Sequence, residues 1–167
     1  MSRKIKRKIK QGIIIISVAF VLYNILWVFY VNYRYNPFCE RFEKGSNILR
    51  KDGFTFYVDK PNYLSFTGNI AICEDVIVSY GQTEAYVADL VIWPKGLDQY
   101  EVGVSVGVTT VNVEEHAAHT EYINILLDED GGLKEYSAEN ALLLEEYKDK
   151  IDHLYELAFD MWGLRLF

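Results

Sequence analysis

The stretch Tyr100-Glu-Val-Gly-Val-Ser-Val-Gly-Val-Thr-Thr-Val-Asn-Val113 decides the fold of the chain. Tyr100, Val102, Val104, Val106 and Val108 fall on one parity, and Glu101, Gly103, Ser105, Gly107 and Thr109 fall on the other. Side chains of a β-strand alternate between faces, so the stretch predicts a strand with one face built for a core and one small, polar face. Such a strand needs paired neighbours and a second layer over its apolar side.

Neighbours are legible on both sides. Phe54–Val58 is a short strand candidate, closed by Asp59-Lys-Pro-Asn62. In Tyr63–Cys73, Leu64, Phe66, Ile70 and Ile72 share one parity, with Gly68 marking a bulge or bend. Val76–Tyr80 and Tyr86–Trp93 follow, the second apolar on both parities except at Asp89, as suits a central strand. Pro94–Asp98 reads as a turn, Glu121–Leu127 as a further strand, and Asp128-Glu-Asp-Gly-Gly132 as the turn after it. Parallel neighbours need crossovers of about a dozen residues or more, so these short connections predict an antiparallel sheet of about five to six strands.

The covering layer is helical. Leu144, Tyr147, Ile151, Leu154, Ala158 and Met161 are separated alternately by three and four residues, which aligns them on one stripe of an α-helix. Ser137 reads as the N-cap, Glu139 as a first-turn carboxylate favourable to the helix dipole, and Gly163 as the stop. The expectation is one amphipathic helix of about 25 residues lying across the Val face of the sheet, a small α+β domain.

The N-terminal part is of another kind. Gly12–Val31 contains no charged side chain, and at about 1.5 Å per residue its 20 residues form a helix as long as the bilayer hydrocarbon is thick. Six of the 17 basic residues lie between Arg3 and Lys10, and all 24 acidic residues lie at or after Glu40. From Asn36 onward there are 10 basic and 24 acidic residues, a net charge of −14 that the overall −7 conceals. Basic residues stay on the cytoplasmic side, and Trp27, Tyr30, Tyr33 and Tyr35 form an aromatic belt at the opposite end. A cleaved secretory signal fits less well, because the apolar run is too long and no small-x-small site follows it. The expected organisation is a basic cytoplasmic head (1–11), a transmembrane helix (12–31), a juxtamembrane connector (32–52) and an extracytoplasmic domain (53–167). The lipid bilayer is the expected partner of residues 12–31, and anionic headgroups that of Arg3 to Lys10. Asn24, mid-span, is tolerated beside its own backbone.

Four constellations bear on chemistry. Gly103-Val-Ser105-Val-Gly107 has the letters of a nucleophile elbow, but that motif needs a strand turning abruptly into a helix, and here the period-two pattern runs straight on. Glu114-Glu-His116-Ala-Ala-His119 would present two imidazoles to a metal if it formed a helical turn, yet it lacks the H-E-x-x-H order and reads as a polar connection between strands. Asp128 and Asp130 begin an acidic loop whose fifth and sixth positions, Gly132 and Leu133, are not those of a calcium loop. His116, His119, Asp128 and Asp130 are therefore weak metal candidates, and no catalytic or cofactor-binding residue is assigned. Cys39 and Cys73 share one compartment and are either two thiols or a disulfide, whose closed loop would add about 4 kcal/mol of stability.

The acidic domain excludes nucleic acid as a partner, since phosphates require clustered Lys and Arg. The functional expectation is a single-pass cell-membrane protein whose outer domain is a non-enzymatic module for another envelope protein or peptide. The alternatives are a membrane-tethered enzyme with an acidic cleft and a calcium- or metal-responsive module. Carboxylates converging in one pocket would favour an enzyme. An exposed apolar patch or an unpaired sheet edge would favour binding.

Overall fold

The structure, a computed structural model, describes residues 3–63, 67–75, 84–112 and 117–167. Two compact units divide the chain between Asn36 and Pro37.

The first unit is helix α1, Arg3–Tyr35, of 33 residues. It is the one helix among the described residues that is long and apolar enough to cross a membrane. Its apolar side chains from Ile13 to Phe29 are largely exposed. The Asn24 amide donates to the Phe20 carbonyl one turn back at 2.7 Å, so this polar group is satisfied on its own helix.

The second unit begins within a 3-10 turn, Asn36–Cys39, and continues as a six-stranded antiparallel sheet. Its strands are β1 (Ile48–Lys51), β2 (Phe54–Asp59), β3 (Asn69–Glu74), β4 (Glu84–Lys95), β5 (Gln99–Asn112) and β6 (Ala117–Leu126). Each pairs with the next in sequence, a plain meander. The expected connector 32–52 thus contains regular structure, the end of α1 and strand β1, which its mixed composition concealed. The expected strand Tyr63–Cys73 narrows to Asn69–Glu74. A Cβ on Gly68 would meet the Asp59 carbonyl at 2.3 Å, so glycine allows the chain to cross itself closely before β3. The expected strand Val76–Tyr80 and residues Leu64–Phe66 lie outside the described residues.

Register fixes the core. Leu49, Phe56, Ile72, Leu90, Val104 and Ile125 stand in one transverse row, and Val58, Ile70, Ile92 and Val102 in the next. All but Leu49 are buried. The Val face of β5 therefore belongs to this core as its parity predicts, and the helical layer lies on that side.

That layer is two helices, α2 (Ala138–Glu146) and α3 (Lys148–Trp162), where the sequence predicts one. The break is at Tyr147, whose N–H donates to Leu143 O and whose carbonyl accepts from Ile151 N–H, each at 3.0 Å. Tyr147, at φ −99° and ψ 12°, leaves the helical conformation and interrupts the ladder between α2 and α3. Neither glycine nor proline marks the place. Ser137 caps α2, accepting from the Asn140 amide, and Gly163 ends α3 in the left-handed conformation. Ile151, Leu154, Ala158 and Met161 are buried against β4 and β3, whereas no residue of α2 is buried. Trp162 closes the far end of α3, its ring edge-on to Phe38 and Phe56 and its indole N–H donating to Phe38 O at 3.0 Å.

Candidate functional site

On the helical side Val104, Val106 and Ile125 are buried beyond α3, and the sheet opens at the corner next to them. Tyr86 on β4 is 57% exposed and Ile123 on β6 is 40% exposed, although both face the helical side. Between them Val108 is only half-buried. Apolar side chains also project from α2 and the segment before it, with Leu142 72% and Tyr136 83% exposed. Lys150 secures the junction, its ammonium contacting both Glu74 oxygens at 2.8 and 3.1 Å and the Tyr86 carbonyl at 3.2 Å. On β6 the exposed residues Glu121, Tyr122, Ile123 and Asn124 are consecutive. A strand with one covered face shows alternation, so this run marks a stretch open on both sides and along its edge.

The face away from the helices carries the polar groups. Thr55, Cys73, Asp89, Ser105 and Asn124 stand opposite one another across five strands. Asp89 is 8% exposed. Burial, opposed by a 3.0 Å hydrogen bond from the Glu74 amide and by the Tyr122 hydroxyl, pushes its carboxyl up to about 6. Burial and the neighbouring Asp89 carboxylate push the Cys73 thiol up to about 12. A thiol held protonated at neutral pH is a poor nucleophile. Ser105 donates to the Asn124 side-chain oxygen, and Thr109 and Thr120 share a 2.7 Å hydroxyl contact.

The glycines of the Gly103-Val-Ser-Val-Gly107 stretch belong to the same face. A Cβ on Gly103 would meet the Trp93 ring at 3.0 Å, and one on Gly107 the Glu121 carbonyl at 2.2 Å and the Tyr122 ring at 3.1 Å. Aromatic rings from β4 and β6 occupy the space that the missing side chains leave. β5 runs unbroken through Ser105, with no strand-to-helix elbow.

His119 is a member of β6, exposed, with Nε2 3.8 Å from Glu121, and is not on the helical turn that pairing with His116 required. His116 lies outside the described residues. One Asp128 carboxylate oxygen accepts the amides of Asp130 at 3.0 Å and Gly132 at 2.8 Å, so it organises the turn between β6 and α2. Among the described residues no group of three or more His, Cys, Asp or Glu side chains could hold an ion.

Cys39 and Cys73 are both free thiols. Phe38, next to Cys39, packs against Trp162 and Tyr100 on the helical side of the sheet, while Cys73 faces the other side. Burial also raises the Cys39 thiol.

Asp89 and Glu74 are neighbours, but they leave opposite faces of the sheet, and Glu74 is ion-paired to Lys150. A cleft of about 550 Å³ near the chain end is lined by Lys95, Glu101, Lys134, Arg165 and Phe167. In it Lys134 and Lys95 hold the Glu101 carboxylate below its usual range. Compared with family models, with curated proteins and with solved structures, the chain matches none.

Proposed function

We propose that this is a single-pass cell-membrane protein whose outer domain is a non-enzymatic module binding another polypeptide. The observation that carries the reading is the uncovered corner of the sheet, where Tyr86, Val108 and Ile123 stay accessible on the helical side and β6 is exposed from Glu121 to Asn124. Apolar surface of this kind, beside an open strand edge, is what partner-binding domains display. Leu142 and Tyr136 are exposed apolar side chains as well. The cell-membrane reading is supported by the length and hydropathy of α1 and by the charge asymmetry around it.

The binding reading is tested by placing a photo-cross-linking amino acid at Ile123 in the full-length chain and irradiating native membranes. A discrete adduct from Ile123, absent when the probe replaces the exposed Glu156 on α3, is the expected result. Equal patterns at the two positions, or none from Ile123, would remove the basis for the proposal.

A further inference from the structure

We infer that the open edge of β6 is a strand-addition site, where an extended, net-cationic peptide segment pairs with Thr120, Tyr122 and Asn124 and continues the sheet. This rests on the binding reading above and names its mode.

The direction of the backbone groups follows from the ladder. Leu127 N–H donates to Val102 O at 2.9 Å, and the carbonyls of Glu121 and Ile125 lie against Gly107 and Gly103 of β5. In an antiparallel ladder, residues alternate between bonding one neighbour and facing the other. Glu121, Ile123 and Ile125 therefore turn their N–H and C=O groups to β5, while Thr120, Tyr122, Asn124 and Leu126 turn theirs away. The Leu126 carbonyl confirms the alternation, since it accepts from Lys134 N–H at 3.0 Å outside the sheet. That bond and the Leu127–Leu133 bridge close the edge at its C-terminal end. Among the described residues nothing else pairs with it, so Thr120, Tyr122 and Asn124 present a row of donors and acceptors spaced for another strand.

The two edges of the sheet differ. β1 is four residues long and carries Arg50 and Lys51, the kind of short, cationic edge that resists pairing. β6 is ten residues long and has neither Lys, Arg nor Pro. Charge selects the occupant. The domain carries a net −14, so two copies meeting edge to edge would repel, whereas a cationic segment is attracted. On the helical side an added strand would lie beside Glu121 and Ile123, suiting a cation and an apolar side chain. On the other side it would lie beside the Tyr122 ring.

The test uses the full-length protein in neutral detergent micelles and an eight-residue peptide alternating valine with lysine. Amide exchange at Thr120, Tyr122 and Asn124 should slow on adding the peptide, while Glu121 and Ile123, already bonded to β5, change little. The same peptide N-methylated at every second residue keeps its charge but loses one edge of hydrogen bonds, and should bind about tenfold or more weakly. Asn124→Pro should weaken binding similarly, because its N–H points away from β5 and an edge proline leaves that ladder intact. Asn124→Ala, which keeps the N–H, should not. Equal binding of the N-methylated peptide, no protection at the three amides, or a dimer whose edge is protected without peptide would overturn the proposal. If the Ile123 cross-link persists unchanged in Asn124→Pro, strand addition is wrong while the binding reading stands.

Discussion

Asp89 sits in the middle of the sheet at 8% exposure, and its raised carboxyl sets a sign for the pH dependence of stability. The folded state binds this proton more tightly than the unfolded chain, whose Asp titrates near 3.9. The stabilising contribution is therefore full below about pH 4 and is lost as pH rises through about 6. At neutral pH its ionisation costs the fold about 3 kcal/mol. Asp89→Asn keeps an acceptor for the Glu74 amide without the charge. Denaturant titrations should find it more stable than the parent at pH 7, by up to about that amount, with little difference at pH 4. An equal loss at both pH values would mean that the carboxylate is needed where it stands. The thiols make a second prediction at this scale. Unreduced protein should take two alkyl groups after unfolding, and Cys73, with its thiol near 12, should resist alkylation while folded. Unreduced, unfolded protein that takes no label and weighs two hydrogens less would instead reveal the Cys39–Cys73 bridge that the sequence allows.

Helix α3 is the element on which the packing depends. Leu154 is 1% exposed at the centre of its stripe, so Leu154→Ala should cost about 2–5 kcal/mol in denaturant midpoint experiments. Glu156→Ala, on the exposed side, should shift stability by less than about 0.5 kcal/mol. Lys150 is a poorer control despite its exposure, because its ammonium joins α3 to Glu74 and Tyr86. Similar losses for Leu154→Ala and Glu156→Ala would contradict the packing. The stripe and the Val parity of β5 were both legible in the sequence, because each reflects a period imposed by burial on one face. The break at Tyr147 was not, since the apolar spacing runs through it and neither glycine nor proline announces it. Nor was the open corner: Ile123 has the same parity as buried Ile125, and its exposure depends on which strands α3 covers. The crowding around Gly103 and Gly107 was hidden for a similar reason, because the rings of Trp93 and Tyr122 arrive from other strands. Asp89 did stand out, as the one polar interruption of an apolar strand.

The whole chain is organised by the division of its charge. The cationic residues 3–10 precede a helix without a charged side chain from Gly12 to Val31, and the −14 domain follows. Moving that acidic domain across a bilayer is compatible with retention of the basic head, since Lys and Arg, not Asp and Glu, set orientation. The binding proposal depends on this arrangement, because only a domain outside the cell meets envelope partners through its β6 edge. Protease added to intact cells bearing a tag at each end of the chain tests it directly. The C-terminal tag should be lost while the N-terminal tag survives on a short, membrane-bound fragment. A C-terminal tag that stays protected until the membrane is permeabilised would contradict it.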